Sequence, residues 1–208
     1  RMRIQGERRI PEAVIERDYC LAWFLFGLAE SSIQKHLAFK GGTALRRCYF
    51  QDYRFSEDLD FTLVKEITFK ETMIFPTEQK AIIKSYEEYS DFPENSNVTV
   101  YSLNEVIIEK VCALLSPFRN EPRDLYDVHH LIREVGADFT HLIQGIEAKL
   151  KFKGCFLEES CGEFEKKEAR LKKLWQKRLS GQMVSLPEFD DIYRLVKRSF
   201  RKAGLLAR

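Results

Sequence analysis

The spacing of apolar and polar residues changes between the two halves of the chain. In the first half, stretches with the two-residue alternation of strands follow one amphipathic helix that begins after Pro11. In the second half, apolar residues recur three and four positions apart, as in helices packed on one side. The predicted strands are 37–40, 58–63, 64–69 and 98–101, and the predicted helices are 12–31, 102–115, 125–134, 139–150, 157–179 and one from Pro187 onward.

This order predicts an α+β protein in two parts. Residues 1–101 are expected to form an α+β lobe and residues 102–208 a mainly helical lobe. Residues 76–97 are polar and rich in turn-forming residues, so they are predicted to be a surface loop with a short helical piece.

Composition is that of a folded protein outside the membrane. Hydrophobic residues make up 44% of the 208 residues and charged residues 32%. The longest strongly apolar stretch, 21–28, is far shorter than the roughly 20 residues that span a bilayer. Five irregularly spaced cysteines show no zinc or disulfide spacing, which favours a reducing compartment, the cytoplasm.

Positive charge is concentrated in two segments, although the net charge is only +2. Residues 165–178 carry seven Lys/Arg against two Glu, and residues 192–208 carry six Lys/Arg and no acid. Such segments can hold a phosphate backbone, or they can be the solvated faces of helices. The sequence leaves both interpretations open.

Two glycines and a threonine follow the first predicted strand. Gly41 and Gly42 leave backbone N–H groups open at the start of a helix that Thr43 is predicted to cap. The N–H groups and the positive helix end both favour an anion, so this turn can hold phosphate oxygens. An ordinary turn is the alternative.

Asp58 and Asp60 lie two positions apart on a predicted strand. Side chains at this spacing point to the same face, about 6–7 Å apart along the chain. Carboxylate oxygens are the ligands that Mg²⁺ prefers. The pair predicts a metal site, with a polar edge-strand face as the alternative.

Lys110 stands on an otherwise apolar face of its predicted helix. Burying an ammonium group is costly unless it meets an anion. Asp124, near the start of the next helix, or the phosphate of a bound nucleotide could supply that charge. Helix-dipole stabilisation alone could explain acids in that first turn.

Three groups of motifs together resemble the AbiEii/AbiGii-type toxin family, whose members are nucleotidyltransferase-like proteins of bacterial toxin–antitoxin and phage-defence operons and include the MenT toxins. The first group combines FKGGTAL at 39–45 with RFSEDLDF at 54–61. The second combines EKVCALL at 109–115, Arg119 and RDLYD at 123–127, and the third is LPEFDD at 186–191. The combination is more specific than any of its pieces.

The resemblance implies a polymerase-β-like nucleotidyltransferase lobe with an appended helical lobe. It implies a toxin that transfers a nucleotide from an NTP to RNA, with the 3′ end of tRNA as the expected acceptor and a cognate antitoxin as the expected protein partner. Carried over by position, it implies that Gly41, Gly42 and Thr43 hold the triphosphate, that Asp58 and Asp60 hold Mg²⁺ or Mn²⁺, and that Lys110 and Asp124 complete the active site, with Arg123 and Asp127 supporting nucleotide binding.

The chain departs from the family after Asp60. Family members usually place a helix and further strands before the next acidic strand, whereas here only a few residues separate Asp60 from Glu66. The segment 64–69 resembles that later strand, and Glu66 its metal-binding carboxylate. A segment missing between Leu63 and Val64 is one explanation, and without it the role of Glu66 is in doubt.

Two other classes of function stay open. A non-catalytic member of the same fold could bind nucleotide or RNA and act through a partner. A transferase of this fold could instead modify a small hydroxylated molecule, although the basic segments favour a polyanionic acceptor. No Ser/His/Asp or Cys/His arrangement supports a hydrolase.

Overall fold

The computed structural model describes residues 10–64, 73–85 and 91–206, which divide into two compact units. The first unit contains residues 10–64, 75–85, 91–102 and 181–185. The second contains residues 73–74, 103–180 and 186–206. Their elements confirm an α+β protein. The predicted strand 64–69, and Glu66 with it, lies outside the described residues except for Val64.

The first unit is built on a four-stranded sheet in the order β2-β1-β4-β3. β1 runs parallel to β4, and the two outer pairs are antiparallel. The elements of this unit are α1 (Glu12–Glu30), β1 (Leu37–Lys40), α2 (Gly41–Ala44) with a π-helical turn (Leu45–Tyr49), β2 (Asp60–Leu63), β3 (Thr77–Ala81) and β4 (Asn97–Tyr101).

The prediction of a loop over 76–97 is wrong at β3. This strand pairs with β4 over its whole length, from Thr77 opposite Tyr101 to Ala81 opposite Asn97. It lies at the edge of the sheet and buries none of its residues fully, so its sequence shows no apolar alternation. Backbone pairing with β4 defines this strand, and the pattern of apolar and polar side chains does not reveal that pairing.

A buried ion network fixes α1 to the helical turn that follows the glycines. Asp18 is only 1% exposed, and its carboxylate lies 3.1 Å from Arg46 Nε and 2.7 Å from Arg47 Nη2. In the same unit, one apolar core contains Ala22, Leu25, Phe26, Phe39 and Val100. The network and this core hold β1 and the glycines after it in a fixed position.

Helices make up the second unit. They are α3 (Leu103–Leu115), α4 (Pro122–Val135), α5 (Ile143–Phe152), α6 (Leu157–Ser160), α7 (Glu163–Lys166), α8 (Glu168–Leu179) and α9 (Phe189–Lys202). The predicted ends at Leu115 and Gly136 are confirmed, and Gly136 adopts the left-handed conformation with φ +62°. Among the described residues, no helix is long and apolar enough to cross a bilayer.

The single helix predicted over 157–179 is wrong, because it is interrupted twice. Breaks follow α6 and α7, and Lys167 lies at the second of them. Instead of facing water, Lys167 is buried, and its ammonium group donates hydrogen bonds to the carbonyls of Leu114 and Ser116 at the end of α3. A buried lysine at that position satisfies carbonyls that have no partner within α3.

A Glu–Lys–Glu group, in which Glu105 and Lys149 are buried and Glu109 is partly exposed, joins α3 to α5. Lys149 Nζ lies 2.7 Å from Glu105 Oε1 and 3.2 Å from Glu109 Oε1. Burial alone would lower the pKa of Lys149, but the carboxylates of Glu109 and Glu105 outweigh burial and raise it above the usual value. The second Glu105 oxygen accepts a hydrogen bond from the backbone N–H of Ile74 at 2.8 Å.

Candidate functional site

Gly41 is the point where β1 turns into α2. Its φ of +82° lies in the left-handed region, which glycine adopts without strain. A Cβ atom at this position would lie 2.5 Å from Oδ2 of Asp60, closer than side-chain carbons approach other atoms. Glycine is therefore required here by the backbone and by the neighbouring carboxylate.

Gly42 makes room for two polar groups of the segment that leads to Asp58. A Cβ atom here would lie 2.9 Å from both Arg54 Nη2 and Ser56 Oγ. Arg54 is buried, and its Nη1 donates to Gln182 Oε1 at 3.0 Å. The two glycines thus let the aspartate-bearing segment pack directly against the start of α2.

The Thr43 side chain ties the two motifs together in a way the sequence did not predict. Lys40, and not Thr43, occupies the cap position before α2, so the predicted capping role is wrong. Thr43 is 1% exposed, and its hydroxyl donates a hydrogen bond to the backbone carbonyl of Asp58. A side chain used in this way is not available to a phosphate group.

Asp58 and Asp60 both have exposed side chains beside the glycine turn. The predicted strand over 58–63 begins later than expected, because β2 starts at Asp60 and leaves Asp58 ahead of the pairing. Within the described ranges, the Asp60 carboxylate forms no hydrogen bond or ion pair. Its Oδ2 atom lies 2.5 Å from the position that a Cβ atom on Gly41 would occupy.

These carboxylates fit a divalent cation by their chemistry. Both supply hard oxygen donors at the surface, which is the donor type of Mg²⁺ and Mn²⁺ sites. In the described part of the chain, no three His, Cys, Asp or Glu side chains lie close enough together to bind a metal. Of the three predicted metal ligands, Asp58 and Asp60 lie within the described residues and Glu66 does not.

Lys40 lies beside this site and was not assigned a role from the sequence. It pairs with Asp60 across β1 and β2, so the two side chains share a face of the sheet. Its Nζ lies 5.8 Å from the centroid of the Tyr101 ring. Only the strand register reveals this neighbour, and the sequence alone does not fix a register.

In the second unit, Lys110 lies between two buried carboxylates. Its Nζ is 3.1 Å from Asp124 Oδ1 and 2.7 Å from Asp127 Oδ2, and these aspartates are 1% and 0% exposed. Asp124 also accepts a hydrogen bond from Arg119 Nη2 at 3.2 Å. Asp124 therefore supplies the charge that a buried Lys110 requires, and Asp127 adds a second.

The pKa of Asp124 reflects this balance. Burial opposes ionisation, but Lys110 and Arg119 outweigh it and hold the pKa of the Asp124 carboxyl below its usual range. The same hydrogen bond with Asp124 raises the pKa of Arg119. The four groups Lys110, Arg119, Asp124 and Asp127 carry two positive and two negative charges, so they neutralise one another.

Exposure separates the groups that can meet a ligand from those that support them. Asp127 is fully buried, which fits support of Lys110 and leaves no surface for the nucleotide contact predicted from the sequence. The Lys110 side chain is 11% exposed, whereas that of Arg119 is 47% exposed. Arg123 is partly exposed and lies 3.9 Å from Glu121.

A protein-family model described as "Nucleotidyl transferase AbiEii toxin, Type IV TA system" matches residues 23–73 and 64–195. The two stretches include the glycine turn, both exposed aspartates and the Lys110 cluster. They overlap at 64–73, next to the place where the chain departs from the usual spacing after Asp60. Comparisons with curated proteins and with solved structures found no match.

Proposed function

The chain belongs to the AbiEii family of nucleotidyl transferase toxins of type IV toxin–antitoxin systems, and from this premise we propose that it transfers a nucleotide from an NTP to RNA, with the 3′ end of tRNA as acceptor. The main structural support for this proposal is that Asp60 Oδ2 lies 2.5 Å from the position that a Cβ atom on Gly41 would occupy. The glycine turn and an exposed carboxylate are therefore direct neighbours.

The proposed fold of the first unit is the polymerase-β-like nucleotidyltransferase fold. Its mixed sheet, with β1 leading directly into the glycine turn, supports this assignment. The helical second unit supports the appended lobe that the family resemblance implies.

In the proposed reaction, the hydroxyl oxygen of the acceptor attacks the α-phosphorus of the NTP. A new P–O bond forms while the bond to the oxygen between the α- and β-phosphorus breaks, pyrophosphate leaves and the hydroxyl proton passes to solvent. Mg²⁺ or Mn²⁺ held by Asp58 and Asp60 would supply stabilisation of the charge on the reacting oxygens. Glu66 stays a prediction as a third ligand.

The glycine turn has the proposed role of receiving the triphosphate. Backbone N–H groups at Gly41 and Gly42 are the donors, because the Thr43 hydroxyl is already bonded to the Asp58 carbonyl. Thr43 instead positions Asp58. Lys110 and Asp124 stay predictions as residues of the active site, and the charge of Lys110 is balanced by Asp124 and Asp127.

The basic segments of the second unit support RNA as the acceptor. On α8, Lys173 and Lys177 are exposed, and in the described part of the chain neither pairs with an acidic side chain. Lys172, by contrast, pairs with Asp190 at 2.7 Å, and Lys167 is buried. Part of the charge in this segment is thus already used, and the exposed remainder is suited to phosphate contacts.

The family also implies an antitoxin, because its members are toxins of toxin–antitoxin systems. We propose a role in phage defence and an action in the cytoplasm, where NTPs and tRNA are present.

The test is incubation of the purified protein and Mg²⁺ with total cellular RNA and each NTP, labelled on the α-phosphate or on the γ-phosphate. The proposal predicts that α-label enters RNA of tRNA size and that γ-label is released as pyrophosphate. Absence of both signals with all four NTPs would indicate a binding protein. Label that enters a small molecule from a cell extract, and not RNA, would identify a different acceptor class.

A further inference from the structure

Phe118 has an exposure that the fold does not explain. Its side chain is 88% exposed, the highest value among the large hydrophobic side chains of the described residues. It lies in the short connection between α3 and α4, and this connection also carries Arg119. An apolar ring held in water at that place contributes little to folding, because it buries almost no surface.

The connection that carries Phe118 is anchored at both ends. On one side, the buried Lys167 ammonium group donates to the carbonyls of Leu114, at 2.7 Å, and Ser116. On the other, Arg119 binds Asp124 through its guanidinium group. Hydrogen bonds therefore hold the connection that carries the exposed ring at both ends. Binding a ligand there costs little conformational entropy of this connection.

Two arginines follow Phe118 in the chain, Arg119 at the next position and Arg123 at the start of α4. The Arg119 side chain is 47% exposed and that of Arg123 is 32% exposed, whereas Glu121 partly offsets the charge of Arg123 at 3.9 Å. An accessible aromatic ring and partly exposed guanidinium groups in one stretch of chain are suited to a nucleotide, because the ring can stack on a base and guanidinium N–H groups can donate hydrogen bonds to phosphate. A docking site for an apolar protein segment would not require exposed guanidinium groups.

We propose that Phe118 is a stacking platform for a nucleobase of the substrate, with Arg119 and Arg123 near the adjoining phosphates. This inference rests on the proposed function and deepens it, because Arg119 binds the same Asp124 that fixes Lys110. The base belongs either to the 3′ end of the RNA acceptor or to the incoming NTP. Both sources present the same flat aromatic face.

Equilibrium binding separates these sources without depending on catalysis. The affinities of the wild type, Phe118→Ala and Phe118→Trp are measured for fluorescently labelled tRNA and for each of the four NTPs. Phe156→Ala is the matched control, since Phe156 is 53% exposed in the same unit and lies outside the connection between α3 and α4. Melting temperatures of all variants are recorded.

Phe118→Ala is expected to weaken binding of tRNA or of an NTP by about five- to 150-fold, the range of one base stack on an aromatic side chain. Phe118→Trp is expected to bind as tightly as the wild type, and Phe156→Ala to leave both affinities unchanged. The salt dependence of tRNA binding is expected to stay the same, because stacking releases no counterions. A loss confined to tRNA assigns the base to the acceptor, and a loss confined to an NTP assigns it to the nucleotide.

Equal affinities of the wild type and Phe118→Ala for tRNA and for all four NTPs would overturn the inference. So would a loss that Phe118→Trp shares, because that substitution keeps an aromatic face. If the wild type binds these ligands through Phe118 but transfers no label, the proposed reaction fails while the stacking platform stands.

Discussion

Gly41 and Asp60 lie so close together that a Cβ atom on the glycine would be 2.5 Å from a carboxylate oxygen of the aspartate. The two residues are close because the end of β1 lies beside the start of β2, where Lys40 and Asp60 pair across the two strands. It makes the glycine turn and the exposed carboxylate one local structure. Any side chain at position 41 must displace Asp60 or the backbone.

Gly41→Ala is expected to reduce nucleotide transfer by about a hundredfold, because small displacements of reacting groups cost that much in rate. The positive φ adds a backbone strain of about 1–2 kcal/mol to the free energy of folding. Gly154→Ala is the matched control, since Gly154 has a φ of +73° and open space around its Cα. Initial rates and melting temperatures distinguish displacement from strain. Similar rates for the two variants would contradict a role for the Gly41 contact.

Thr43→Val tests whether the hydroxyl of Thr43 positions Asp58. The substitution keeps the shape of the side chain but removes the donor to the Asp58 carbonyl, at a cost of about 1 kcal/mol in the free energy of unfolding. Transfer is expected to fall about tenfold or more through displacement of Asp58. Thr43→Ser keeps the donor and is expected to retain activity. A Thr43→Ser variant as inactive as Thr43→Val would assign the effect to packing.

Lys167 predicts a pH dependence of stability. Burial lowers the pKa of its ammonium group to about 8 in the folded protein, below the usual lysine value of 10.5. Between these values the unfolded chain holds a proton that the folded protein has released, so this group makes the free energy of unfolding rise with pH from about 8 to 10.5.

Urea unfolding from pH 7.5 to about pH 10.5 measures this contribution as the difference between the wild type and Lys167→Met. The wild type is expected to gain stability relative to Lys167→Met as the pH rises. Lys166→Met, which changes the neighbouring side chain at 70% exposure, is expected to follow the wild type. Parallel pH profiles for the wild type and Lys167→Met would contradict the lowered pKa of Lys167.

Lys173 and Lys177 are expected to contact the RNA backbone. Replacing both by Gln should weaken tRNA binding and reduce the slope of log affinity against log salt concentration by about 0.7–0.9 per lost phosphate contact. Lys172→Gln is the control, because Lys172 already pairs with Asp190. An unchanged slope in the double variant would show that this face of α8 is only solvated.

The sequence predicted the elements in which the pattern of apolar side chains follows their burial. β1 and α3 end where the pattern indicated, and Gly136 stops α4 as its position suggested. β3 could not be predicted, because its polar residues reflect an edge position while pairing with β4 supplies its structure. Local periodicity carries no information on such pairing.

The sequence named the candidate residues of the site except Lys40, but their contacts were only partly predicted. Lys110 was expected to need an anion, and Asp124 provides one at 3.1 Å. Thr43 was expected to cap a helix, whereas it bonds to Asp58. The Glu105–Lys149 pair was missed because a charged residue in a helix is normally assigned to the exposed face.

The rate of nucleotide transfer to RNA by Asp58→Asn and by Asp60→Asn is the most direct test of whether these two carboxylates hold the catalytic metal, because each substitution removes the charge of a proposed ligand and preserves the shape of the side chain. Asp52→Asn, an exposed position in the same unit, is the control. Both site variants are expected to lose about two to three orders of magnitude in rate, while Asp52→Asn stays as active as the wild type. Undiminished transfer by Asp58→Asn and Asp60→Asn would contradict it.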